Sequence, residues 1–299
     1  MQTALLIGGT GFVGRHMQRC LLPRFKVIAT GHTSDIRDDT QIENLVKSAS
    51  PDIVINFASI TTVKESFQDP LNTYRIGFLG TLNLLMALKK IGFKGRLLNI
   101  SSSEVYGFPS YGQLPICEET FLHPTSPYSV SKVATEALCY QWSQTEQFEI
   151  VTARPFTHIG PGQSDRFSIS SFSRQIAEIL LERKAPVIYV GDLQTTRDFT
   201  DVRDVVIAYN LLLEKGIGGQ VYNVCSGKET SMRSLLNKLI ECAGIPIKVE
   251  QNESLMRNTE QLRIYGSHRK IHKDTGWSPT IPLSQTLADT LSYWVEKLK

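Results

Sequence analysis

Cysteine is scarce and scattered. The chain has five thiols in 299 residues, with no CxxC and no Cys/His cluster, which removes zinc ribbons and disulfide frameworks. An odd count points to reduced, mostly buried thiols and a cytosolic, cytoplasmic protein. Long apolar runs are also lacking. The N-terminal run Ala4-Leu-Leu-Ile7 ends in glycines, short of a signal peptide, and nothing approaches a membrane span. Nor is there an excess of one charge: a net +3 is too small to call for nucleic acid or an acidic membrane as partner. No internal repeat and no low-complexity segment occurs. With 41% apolar and 20% charged residues, the composition is that of a globular protein. The length allows two lobes, or one large α/β domain with an elaboration.

In the first half, short apolar runs alternate with longer helical patterns. The runs Thr3–Ile7, Lys26–Thr30, Ile53–Asn56, Arg96–Ser101 and Glu149–Arg154 are nearly continuous and end at glycine, polar residues or Pro155. That pattern predicts strands buried on both faces of a parallel sheet. Helical stretches over Leu71–Ile91 and Pro127–Gln147 lie between them, giving an α/β, Rossmann-type doubly wound fold. After Pro155 comes a loop rich in turn formers, Thr157–Asp165, and then a helical pattern over Ile169–Glu182. Strand Val187–Val190 and helices Ser231–Ala243 and Ser284–Leu298 suggest a smaller mixed lobe, while Val221–Val224 is free to return to the first sheet. The expected division is interleaved: residues 1–155 with roughly 196–227 as a nucleotide-binding lobe, and 156–195 with 228–299 as the second.

The turn Gly8-Gly-Thr-Gly11-Phe12-Val13-Gly14 follows the first strand and opens a helix. Glycines allow close backbone approach to a diphosphate, and the helix N-terminus supplies N–H groups and a partial positive charge. A plain tight turn uses the same residues, but the position after the first strand favours dinucleotide binding. The second strand ends Ala29-Thr30-Gly31-His32-Thr33 with no carboxylate to hold a ribose 2′-hydroxyl. This favours NADP(H) over NAD(H), with Thr30, His32 or Thr33 as phosphate contacts. Asp35-Ile36 can reach the adenine edge, or Asp35 can be a capping or surface residue.

Tyr128 and Lys132 stand four residues apart, one helical turn on one face. A phenol titrates near pH ~10, and a neighbouring cation favours its phenolate, moving it toward a useful range. The spacing alone decides little, because Tyr293 and Lys297 repeat it near the C-terminus. What distinguishes the first pair is Ser101-Ser102-Ser103-Glu104 at the end of the fourth strand, where doubly wound folds place their ligands. A hydroxyl, a phenol and an ammonium beside a nicotinamide suit carbonyl–alcohol hydride chemistry.

At this point the chain resembles the extended short-chain dehydrogenase/reductase family, which acts on nucleotide sugars. The resemblance runs through the glycine turn, Asn56-Phe-Ala58-Ser59, Ser101–Gly107, the Tyr128/Lys132 pair and Arg197–Asp204. Within the family, Ala153–Gln163, Tyr222–Gly227 and Gly266-Ser-His268 look most like reductases of GDP-4-keto-6-deoxy-mannose, which make GDP-D-rhamnose. The resemblance implies Ser102 as the catalytic hydroxyl, Tyr128 as proton donor and Lys132 as holder of the nicotinamide ribose. It places Ala58 against the cofactor, with Ser103, Glu104, Thr157, Arg197, Arg257 and Glu260 on the substrate. The two arginines would clasp its diphosphate. It also implies a homodimer through a four-helix contact of Leu71–Ile91 and Pro127–Gln147, although these helices can instead simply pack on the sheet.

Two residues depart from the family's usual pattern. Thr157 stands where asparagine normally touches substrate, and Gly77 where many relatives carry a bracing asparagine. His158 reads as a structural loop residue rather than a base. Glu104 leaves alternatives open: in family dehydratases an acid here serves water elimination, whereas elsewhere it is a structural carboxylate. The expected reaction is NAD(P)H-dependent reduction of a GDP-4-keto-6-deoxy-hexose. A GDP-mannose 4,6-dehydratase, a 4-epimerase or a silent nucleotide-sensing protein are the competing readings.

Overall fold

The computed structural model describes residues 1–31, 34–60, 62–256 and 263–299. The first half contains β1 (Gln2–Ile7), α1 (Phe12–Leu21), β2 (Phe25–Ala29), α2 (Asp39–Ala49), β3 (Ile53–Asn56), α3 (Val63–Gln68), α4 (Pro70–Tyr74), α5 (Gly80–Lys90), β4 (Arg96–Ile100), α6 (Pro127–Thr145) and β5 (Glu149–Pro155). The second contains β6 (Thr157–Ile159), α7 (Ser168–Leu180), β7 (Val187–Val190), β8 (Thr196–Asp201), α8 (Val202–Lys215), β9 (Val221–Val224), β10 (Glu229–Ser231), α9 (Met232–Ala243), β11 (Lys248–Gln251), α10 (Arg269–Thr275) and α11 (Leu283–Leu298).

The main sheet is parallel, in the order β2-β1-β3-β4-β5-β9. Alternation along its strands explains their unbroken apolar sequence, because each face has its own core. Ala4, Leu6, Ile55, Leu98 and Val151 pack toward Met17 of α1 and Tyr209 of α8. Leu5, Ile7, Val54, Leu97 and Ile150 pack toward Val46 of α2, Leu84 of α5 and Cys139 of α6. The chain runs from β1 to β2 on one side and then crosses to β3 on the other, so the order reverses at β1. Ligands of doubly wound sheets bind in the crevice this reversal opens, and the glycine turn lies there. As the sequence allowed, β9 returns to this sheet beside β5.

A further core gathers Phe172 and Ile176 of α7, Phe199 of β8, Leu235 and Leu239 of α9, and Leu291 and Trp294 of α11. It sits beneath two small sheets, β10-β8-β6 and β11-β7. Ile271 and Trp277, late in the chain, join the first core instead.

The helical stretch expected over Leu71–Ile91 is interrupted. Between α4 and α5, residues Arg75–Leu79 form a π-turn. The cause lies at Gly77, where a Cβ would meet Ser131 Oγ of α6 at 2.0 Å. The backbone of this helix therefore comes against α6 directly, and both Thr81 Oγ1 (2.6 Å) and Thr135 Oγ1 (3.3 Å) donate to the Gly77 carbonyl.

Candidate active site

At Gly8, Gly9 and Gly14 the glycine turn is fixed by contacts that leave no room for side chains. Gly8 has φ +72°, and a Cβ there would lie 3.1 Å from Ala58 N. A Cβ on Gly14 would sit 2.2 Å from the Gly9 carbonyl oxygen, so helix and turn touch backbone to backbone. Thr30 is buried, and its hydroxyl accepts from Gly8 N at 3.2 Å, bracing the turn from β2. Asn56, at the end of β3, holds Ala58 N through Oδ1 at 3.1 Å. Gly11 is the N-cap of α1 and makes no side-chain cap. The first N–H groups of α1, from Phe12 and Val13 onward, therefore point out of the turn, a donor set that fits a dinucleotide diphosphate.

Beyond β2 the carboxylate of Asp35 is held by Arg37, with contacts of 2.8 and 2.6 Å. Arg37 also donates to Asn72 Oδ1 at 2.7 Å. Ile36 is buried against Gly80, in the core rather than at an open edge. His32 and Thr33 lie outside the described residues.

The reacting groups do come together. β4 delivers Ser101, Ser102 and Ser103, all buried. Ser102 caps a short 3-10 turn, accepting from Glu104 N at 3.2 Å. Helix α6 opens with Ser126 as N-cap and Pro127 in its first turn, which places Tyr128 at the very start of the helix. The Tyr128 phenol comes close enough to Ser102 and Glu104 for both to act on its titration. Lys132 Nζ lies 5.7 Å from the centre of the Tyr128 ring and donates to the Ile100 carbonyl at 2.7 Å.

One expectation is corrected here. Burial, opposed by the neighbouring Ser102 hydroxyl and reinforced by Glu104, pushes the Tyr128 phenol up to about 12. The cation does not bring it toward neutrality. Burial acts on Lys132 too, lowering its ammonium to about 8 against the opposing pull of Glu136. In a desolvated site both groups are driven toward their neutral forms. Tyr128 thereby keeps its phenol proton throughout the physiological range.

On the other side of the crevice, Thr157 is exposed at the start of β6. His158 follows it, with Nδ1 3.0 Å from the Phe156 carbonyl and its ring stacked on Phe12 at 6.2 Å and 13°. Burial lowers its pKa, as suits a structural imidazole. Arg197 lies on β8 and donates from Nη1 to the Thr196 carbonyl at 2.8 Å. Its neighbour Asp198 is fully buried and accepts from Ser226 N, Gly227 N and Gly266 N at 2.7, 2.9 and 3.2 Å. Three separate sequence motifs thus converge on one carboxylate. Arg257 and Glu260 lie outside the described residues.

Sequence reasoning missed the buried network behind the reacting groups. Glu136 and Arg154 form an ion pair with contacts of 2.6 and 2.9 Å, their side chains 7% and 6% exposed. Ser101 donates its hydroxyl proton to the same carboxylate. Arg154 continues to Tyr106 Oη at 2.8 Å, and Tyr106 donates to Asn223 Oδ1 at 2.7 Å. The available signal was Glu136 itself, one more turn along the face that carries Tyr128 and Lys132.

Comparison with known proteins bears on this arrangement. The model for the family described as GDP-mannose 4,6 dehydratase matches residues 24–290. A GDP-6-deoxy-D-mannose reductase from Pseudomonas aeruginosa is 44% identical, covering 100% of this chain and 99% of that protein. The structure of RMD from Pseudomonas aeruginosa complexed with NADPH superposes with a TM-score of 0.93 at 44% identity, covering 99% of this chain and all of that one, 100%. A putative epimerase from Burkholderia cenocepacia superposes with a TM-score of 0.85 at 30% identity, covering 99% of each chain.

Proposed function

Since the chain belongs to the GDP-mannose 4,6-dehydratase family, among the extended short-chain dehydrogenase/reductases of nucleotide sugars, we propose that it reduces the 4-keto group of GDP-4-keto-6-deoxy-D-mannose to give GDP-D-rhamnose. The observation that carries this reading is the Ser102 hydroxyl set beside a Tyr128 phenol that burial keeps protonated well above neutral pH. A reductase needs that acid, because the ketone oxygen becomes an alkoxide as its carbon is reduced. The 44% identity to a named reductase over the full length supports the choice of substrate.

NADPH is the cofactor of this reading. It is supported by the NADPH complex of the similar Pseudomonas protein and by a β2 end without a 2′-hydroxyl-binding carboxylate, though NAD appears in more distant relatives. When bound, the dihydronicotinamide supplies the hydride that adds to C4. The N–H groups at the start of α1 hold the diphosphate, with Gly8, Gly11, Phe12, Val13, Gly14 and Ala58 forming the cradle. Lys132, fixed by the Ile100 carbonyl, keeps its other N–H donors for the nicotinamide ribose. Ser102 hydrogen-bonds the ketone oxygen, and Tyr128 passes its proton to that oxygen as charge develops. Ser103, Glu104 and Thr157 line the sugar, and Arg197 takes the diphosphate of the GDP group.

The interleaved division of the chain, 1–155 with roughly 196–227 against the remainder, is supported by the separation of the main-sheet cores from the core of α7, α9 and α11, with Ile271 and Trp277 as late additions to the former. Exposed Phe67, Leu71, Leu79 and Met86 on one helix layer, with Val130 and Tyr140 on α6, support a homodimer through these helices. Among the described residues no helix is long and apolar enough to cross a membrane, and all five cysteines are free; a cytosolic place and a role in lipopolysaccharide biosynthesis belong to this reading through its product.

The test is product analysis. Purified protein is given GDP-4-keto-6-deoxy-D-mannose with NADPH or NADH, and the nucleotide sugar is identified by NMR. GDP-D-rhamnose formed faster with NADPH supports the proposal. GDP-6-deoxy-D-talose would overturn its stereochemistry, and conversion of GDP-mannose alone would favour a dehydratase using Glu104.

A further inference from the structure

The Glu136 carboxylate is enclosed by groups from three elements. Lys132 and Cys139 flank it on α6, Arg154 reaches it from β5, and Ser101 reaches it from the end of β4. Arg154 is in turn spread over the Tyr106 ring, 4.9 Å from its centre. A brace between α6 and β5 would need only the bidentate arginine. Two further features go beyond that need. Ser101, the residue immediately before Ser102, donates to the same carboxylate. Glu136 also follows Lys132 by four residues, as Lys132 follows Tyr128, so the three share one face of the helix.

We propose that Glu136 is a positioning residue of the reducing site, pinning the strand end that carries Ser102 and supplying the counter-charge to Lys132. The proposal rests on the reading of Ser102, Tyr128 and Lys132 given above. Lys132 is almost wholly out of water, 6% exposed, and its hydrogen bond to the Ile100 carbonyl brings no negative charge. Among the groups that act on it, Glu136 is the first to favour the ammonium over the amine, against a burial effect that favours the amine. Cys139 acts in the same direction but less strongly, so removing the carboxylate takes away the largest influence opposing burial and the ammonium is lost at lower pH.

The test is the pH dependence of kcat/KM for the wild type, Glu136→Asp, Glu136→Gln and the double variant Glu136→Gln/Arg154→Met. The double variant removes both buried charges, so that neither is stranded if the single change prevents folding. Wild-type activity is expected to fall above about pH 8, where Lys132 loses its proton. Both Gln variants should move that fall lower by about one pH unit, while Glu136→Asp restores it. Ser101→Ala, which keeps every charge, should lower kcat about three- to tenfold with KM unchanged, because the position of Ser102 is loosened.

Folded Gln variants with an unmoved alkaline fall would show a structural brace only and overturn the counter-charge. Wild-type kinetics in Ser101→Ala would overturn the pinning. A wild type with no fall near pH 8 would instead count against the reading of Lys132 itself, so the two failures are distinguishable.

Discussion

Lys132 Nζ stands 5.7 Å from the centre of the Tyr128 ring, and Lys297 Nζ stands 5.5 Å from the centre of the Tyr293 ring. The two pairs have nearly the same geometry. Only the first has a buried lysine, a strand-end serine beside its phenol and a carboxylate one turn further on. Spacing produces the contact, and surroundings turn it into chemistry.

Tyr128→Phe removes the proton donor and little else, since the ring remains. Turnover should fall by about 10²–10⁴, the usual weight of a positioned acid, while NADPH affinity measured by fluorescence titration stays close to wild type. Near-wild-type turnover would remove Tyr128 from the mechanism.

Lys132→Met should trade activity for stability. Burial lowers the lysine from its ordinary 10.5 to about 8 in the folded state. The unfolded chain therefore binds the extra proton between those values, and stability rises with pH across that window. The cost of holding the ammonium is complete below about 8 and is on the order of 3 kcal/mol. The methionine variant should melt above wild type near neutral pH, and the gap should close as pH rises toward 10.5. A gap independent of pH would contradict the assignment.

Much of the fold was legible because strands buried on two faces advertise themselves. The runs over Ile53–Asn56, Val187–Val190 and Val221–Val224 appear as strands with those bounds, and Val221–Val224 joins the main sheet as sequence permitted. The break in the helix at Arg75–Leu79 was not legible, because its cause is a contact with Ser131 more than fifty residues away. The convergence of Ser102, Tyr128 and Lys132 followed from topology alone. Their protonation did not, since burial overrides the neighbouring charge, and burial is a property of the assembled crevice. Asp198 shows the same limit: its motif was visible, but its role in joining Ser226, Gly227 and Gly266 needed coordinates.

Gly77→Ala tests the close approach of the interrupted helix to α6. The added methyl meets Ser131 Oγ at 2.0 Å, and overpacking of this kind costs about 1–3 kcal/mol. Ser131→Ala in the same chain should recover most of the loss in melting temperature, because Ser131 Cβ lies at an ordinary 3.4 Å. Additive losses in the double variant would place the strain elsewhere.

Gly14→Ala forces the start of α1 away from Gly9, whose carbonyl oxygen would lie 2.2 Å from the new Cβ. With the diphosphate placed, as proposed, on the N–H groups at that helix start, NADPH affinity should drop at least tenfold, about 1.4 kcal/mol. Calorimetric titration reads this directly, and an unchanged affinity would remove the glycine turn from cofactor binding.

The most direct test of the account is isotopic. The protein is supplied with GDP-4-keto-6-deoxy-D-mannose and NADPH deuterated at C4 of the nicotinamide, on the transferred face. One deuterium at C4 of each GDP-D-rhamnose formed is expected, with one NADPH oxidised per sugar. A product without deuterium at C4, or turnover with no NADPH consumed, would contradict it.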